Sequence, residues 1–150
     1  MGKTKTLFDR GAREELQRRM ESIQPERRPL WGKMSLGQML AHVNASLEMA
    51  TGDLPTKPKN TPMANPFLRW LVIYVMPWPK GTPTAPELLA NPPGEWSAEL
   101  ARYRDLLERA GTRSPDGDWP RHPAFGQMKG KHWGVLGYKH LNHHLRQFGA

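Results

Sequence analysis

The stretch SLGQMLAHVNASLEMATG, residues 35–52, constrains the fold more than any other part of the chain. Leu36, Met39, Leu40, Val43, Leu47 and Ala50 recur every three or four residues, which lines one face of a helix and suits no strand. Ser35 followed by Gln38 reads as a capping box, and Gly52 as a C-terminal stop. Three further stretches repeat this period. Asp9 is placed to cap a helix that aligns Ala12, Leu16, Met20 and Ile23, and Pro25 ends it. WSAELARYRDLLERAG (96–111) sets Trp96, Leu100, Tyr103 and Leu107 on one stripe before Gly111, and a last helix runs from about Lys131 to Phe148.

Prolines divide what remains. Residues 53–65 form a proline-broken loop, and PWPKGTPTAPELLANPPGE (77–95) carries six prolines and cannot stay regular for long. Between them lies FLRWLVIYVM (67–76), ten residues that contain Arg69 and are closed by Pro77. A membrane span needs about 20 apolar residues, so this stretch is expected to be a buried or capping helix. It is also the candidate contact of a homodimer. No stretch alternates with the period of a strand. The expected fold is all-α: one domain over 1–150, an up-and-down-type four-helix bundle with a short extra helix and a proline-rich connection. WGKMSLGQ (31–38) and FGQMKGKHW (125–133) both set an aromatic, a glycine and a methionine before a helix, where the aromatic is expected to pack back on the first turn.

Composition removes several classes of function. There is no cysteine, hence no disulfide, no thiol nucleophile and no thiolate ligand. The formal net charge is +8, but the basic residues are spread along the chain and interleaved with glutamate, so no run resembles a nucleic-acid tail. The N-terminus MGKTKTLFDR lacks the apolar core of a secretory signal. A cytoplasmic protein that meets small molecules, not membranes, is the expectation.

Three of the six histidines fall within KHLNHHLRQ (139–147). With each residue turning about 100°, His140 and His144 lie within the stripe of Trp133, Leu136, Leu141 and Phe148, and His143 lies on its edge. Two buried imidazoles four residues apart cannot both be protonated, and a shared metal ion accepts a lone pair from each. His42 lies on the flank of its helix, beside Met39 and Met49, where it serves either as an ordinary interfacial histidine or as a third ligand. His122 sits in the loop leading into the last helix, as a loop or pocket residue, and His132 is expected at the surface. Gln147, His143, Asn44 and Glu48 are candidates to orient the ligand rings.

These residues together resemble the DinB-like (YfiT-like) superfamily of bacterial metal-binding four-helix bundles. The resemblance rests on the histidine in QMLAHV (38–43), on H-x-x-H-H-x-x-Q at His140, His143, His144 and Gln147, and on the roughly hundred residues between them. The ending YKHLNHHLRQFG, with WGKMS and PWPKGTPTAPEL, is similar to a branch of that superfamily with no assigned function. The resemblance implies three ligands, His42, His140 and His144, on one divalent ion, with zinc, nickel and iron all compatible with nitrogen donors. It also implies a thiol-dependent S-transferase or isomerase, with a low-molecular-weight thiol as cosubstrate; a metal-dependent hydrolase is the other enzyme reading. An open coordination position can ionise bound water or thiol, and a chain without cysteine takes its thiol from outside. The alternatives are a non-enzymatic metal or small-ligand binding stress protein, and a nucleic-acid or protein-interaction bundle. No acid–base residue stands out.

Overall fold

The computed structural model describes residues 4–80 and 94–150, and everything below concerns those residues. They form five helices and no strand: α1 (Arg10–Glu21), α2 (Leu36–Thr51), α3 (Pro66–Trp70), α4 (Trp96–Thr112) and α5 (Gly130–Gln147). None is long and apolar enough to cross a membrane. α4 lies against both α1 and α2, and α5 against the same two.

Local chemistry sets the ends of α2. Gln38 donates its backbone N–H to Ser35 Oγ at 3.1 Å, and Ser35 N–H reaches Gln38 Oε1 at 2.8 Å, so the capping box is complete. Gly52 closes the helix at φ 88°, a left-handed conformation that a residue without Cβ adopts at little cost. At α1 the helix begins after Asp9, but that side chain accepts no capping hydrogen bond.

α2 is buried nearly all round because α4 and α5 cover different sides of it. Its apolar face joins Leu16, Met20, Tyr103, Leu107, Leu141 and Leu145 in the main core. Its polar flank turns to α4, where buried Asn44 donates to the Glu99 carbonyl at 3.0 Å and to Glu99 Oε2 at 2.9 Å, and Glu48 pairs with Arg102. Asn44 and Glu48 therefore join helices and do not orient the histidines. Arg13 is buried at the junction of α1 and α4, its Nη1 donating to the carbonyls of Leu7 and Gly111 at 2.8 and 3.2 Å. Those carbonyls are otherwise helix-end or loop acceptors that need a donor once buried.

A second apolar cluster gathers Met49, Ile73, Trp119, Phe125, Trp133 and Leu136. The segment before α1 crosses α5 at Gly134 and Gly137. Leu7 N–H donates to the Gly134 carbonyl at 3.1 Å, and a Cβ on either glycine would collide with Thr6, Leu7 or Phe8.

The apolar stretch at 67–76, expected as a buried or capping helix, covers the second cluster through Val72, Ile73 and Tyr74 and is not buried throughout. Pro66 opens α3, Asn65 Oδ1 caps it, and Leu71–Val75 continue it with wider π-type winding. Only Ile73 is buried, while Phe67 and Val75 stand more than half exposed and Trp70 and Met76 about half. A ten-residue stretch that is apolar on all sides carries no periodicity to say which side is covered. Residues 81–93 of the proline-rich connection lie outside the described residues.

Candidate metal centre

α2 and α5 bring His42, His140 and His144 together. His42 and His144 are buried and His140 partly so. Nε2 of His42 lies 2.9 Å from Nε2 of His140, and Nε2 of His144 lies 3.1 Å from that same atom. The three rings meet edge to face, with centroids 4.7 to 4.8 Å apart. His42 reaches α5 from the flank of its own helix because α4 occupies the other side of α2.

The protonation of one ring follows from its neighbours. Gln147 Nε2 donates to the Trp31 carbonyl at 3.0 Å, an acceptor that fixes which end of the amide is nitrogen. Gln147 Oε1 then faces His144 Nδ1 at 2.9 Å, so Nδ1 carries the proton and Nε2 presents a bare lone pair. A single Nε2–H on His140 or His42 can satisfy one of the two short approaches, leaving the other without a hydrogen bond of its own. Adding a proton is no remedy. Burial, then the neighbouring imidazoles, pushes His140 well below the ordinary histidine range. Burial, then His42, lowers His144 to about 3.

A divalent cation accepts all three lone pairs at once. Two imidazole nitrogens held tetrahedrally at zinc–nitrogen bond lengths lie about 3.3 Å apart, and the observed 2.9 and 3.1 Å are of that size. The donor set therefore fits such an ion, and the three histidines could hold it.

His143 is half-buried beside the cluster, its ring centroid 5.3 Å from His144, 5.7 Å from Trp31 and 5.9 Å from Trp78. Gln147 holds His144 as described. The Trp31 ring packs on His143 and its carbonyl accepts from Gln147, with Gly32 turning the chain at φ 77° beside that amide. Trp31, Trp78 and Trp133 were not singled out from the sequence as site residues. The glycine after Trp31 was the available signal for the first.

The cluster forms part of the wall of a cavity of about 620 Å³. Apolar side chains dominate the rest, among them Leu47, Met49, Trp78, Phe125, Trp133 and Leu136, and no carboxylate lines it among the described residues. His122, anticipated as a loop or pocket residue, lines it too. Its Nδ1 accepts from the backbone N–H groups of Ala124 and Phe125 at 3.0 and 3.1 Å. Burial lowers it to about 4. His132 is partly buried, not at the open surface, and its Nδ1 lies 2.7 Å from the Tyr74 hydroxyl. It takes no part in the cluster.

No curated protein and no solved structure matches the chain significantly. One family does: residues 9–150 match the family described as "Protein of unknown function (DUF1569)", and on that match, which runs from Asp9 to Ala150, the chain belongs to it.

Proposed function

We propose that His42, His140 and His144 hold one divalent metal ion, zinc, nickel or iron, as the working centre of a small-molecule enzyme. The observation that carries this reading is the convergence of three Nε2 atoms, one of them locked in the metal-binding tautomer by Gln147 and Trp31, on the wall of an apolar cavity. Three neutral nitrogen ligands leave a coordination position for a substrate, and that is the pattern of catalytic, not structural, ions. When bound, the ion would supply Lewis acidity at the cavity wall. The protein's own residues would do the rest. Gln147 holds the His144 ring, Trp31 and Trp78 enclose His143, and the surrounding apolar side chains exclude water.

The DinB-like resemblance extends this to an up-and-down four-helix bundle and to thiol-dependent S-transfer, with an external thiol as cosubstrate. The pairing of α4 and α5 each with α1 and α2 supports the bundle. The absence of a carboxylate in the cavity wall among the described residues favours a second reading, a metal-dependent binding protein without turnover.

Metal content of tag-free protein, measured by mass spectrometry beside His42→Ala and His144→Ala, tests the centre. One equivalent in wild type, lost in both variants, supports it. No metal in wild type after reloading with zinc or nickel removes it. Screening the loaded protein with low-molecular-weight thiols and alkylating electrophiles then separates the enzyme from the binder.

A further inference from the structure

The cavity wall carries a second polar group that the metal reading does not use. His122 Nδ1 accepts two backbone N–H groups and so bears no proton. The neutral ring must then carry its proton on Nε2. That N–H makes no hydrogen bond among the described residues, and the partly buried ring lines the cavity. Trp133 lies beside it, ring centroids 5.2 Å apart, and its buried indole N–H also has no hydrogen-bond partner. The Trp133 donor is buried, and a buried donor without an acceptor is costly, while the His122 ring lines the cavity, where a ligand can reach its N–H.

The other polar groups of the wall do not supply the acceptor. The Ser46 hydroxyl donates to the Val43 carbonyl at 2.7 Å and the Thr61 hydroxyl to the Ala124 carbonyl at 2.6 Å. The Nε2 atoms of His42, His140 and His144 face one another. The described wall is thus largely apolar and without a carboxylate; besides the histidine cluster, Lys59 and His143, it is furnished at His122 with an N–H donor held by a turn.

We propose that the cavity binds a ligand with an apolar body and one oxygen acceptor, a carbonyl or a carboxylate, and that His122 Nε2–H is the group that fixes this acceptor. The proposal rests on the reading of the cavity as a small-molecule site and names the substrate class. Burial keeps His122 neutral in the physiological range, so it positions by donating and does not transfer its proton.

Two matched probes test it: 2-acetylnaphthalene, which carries a carbonyl, and 2-ethylnaphthalene, which does not. Binding is followed by quenching of tryptophan fluorescence, since Trp78, Trp119 and Trp133 line the cavity. Wild type is expected to prefer the ketone about tenfold, the worth of one good hydrogen bond. His122→Asp keeps an acceptor for the turn but removes the donor, so it should lose the preference, while His122→Asn, which keeps both, should retain part of it. A role confined to the turn would be served equally by either residue. Nitrogen-15 spectra of the wild-type histidine side chains need no variant. The His122 Nε2–H signal should shift with the ketone and not with the hydrocarbon. Equal affinity for the two probes in wild type, a preference that survives in His122→Asp, or an unmoved Nε2–H signal would overturn the proposal. Failure of the metal reading is separable, because the metal content of wild type and its preference for the ketone are read in independent measurements.

Discussion

His144 donates from Nδ1 to Gln147 Oε1 across 2.9 Å, one turn along the same helix, and thereby offers its other nitrogen to the cluster. Gln147 is itself held by the Trp31 carbonyl. Removing the amide frees the ring and its tautomer without touching a ligand. Gln147→Leu should lower metal affinity about 10- to 100-fold and leave the helical content unchanged. Competition with a chromophoric chelator measures the first, and circular dichroism the second.

Binding to the folded chain alone stabilises it by mass action. Zinc at a hundred times its dissociation constant adds about 2.7 kcal/mol, which for a chain of this size raises Tm by roughly 5–10 °C. The shift should be absent in His42→Ala and in His140→Ala. Thermal melts with and without added zinc check it.

His122 gives the stability a pH dependence of predictable sign. Its pKa is about 4 in the folded protein against an ordinary 6.5. Between those values the unfolded chain binds the proton and the folded one does not, so stability falls as pH drops through that window. The loss amounts to about 3 kcal/mol at most by pH 4. Urea denaturation of wild type and His122→Asn at pH 7 and pH 4.5 should show a smaller loss in the variant, the difference being the His122 contribution.

Gly32 holds a left-handed φ of 77°, and a Cβ there would stand 3.0 Å from Gln147 Nε2. Gly32→Ala should cost about 1–2 kcal/mol of stability and also weaken metal binding, because the strain falls on the Trp31–Gln147 link. A melt and the same chelator competition separate these two effects. Gly11, where a Cβ meets nothing within 4 Å, is the matched control.

Helices were legible where their stop and start signals were local. Ser35, Gln38 and Gly52 act within a few residues, and α4 and α5 begin and end within one residue of where the pattern places them. The facing of His140 and His144 was legible for the same reason, since two side chains four apart on one helix share a side whatever else the chain does. His42 was not, because its direction depends on which neighbour covers which side of α2. Trp31 was hidden for the same reason: it acquires its role from Gln147, 116 positions away. His122 was placed in the right region, but its tautomer comes from a turn that needs coordinates to see.

His42 and His140 stand 98 positions apart in the chain. An unfolded chain offers a metal only the local pair on the last helix, and the third ligand arrives after a long loop has closed. An ion held by all three histidines is therefore a clasp fastened late. Contacts absent from the folding transition state slow escape from the native state without hastening entry into it. Metal loading should accordingly lengthen the lifetime of the folded protein and leave its refolding rate nearly unchanged.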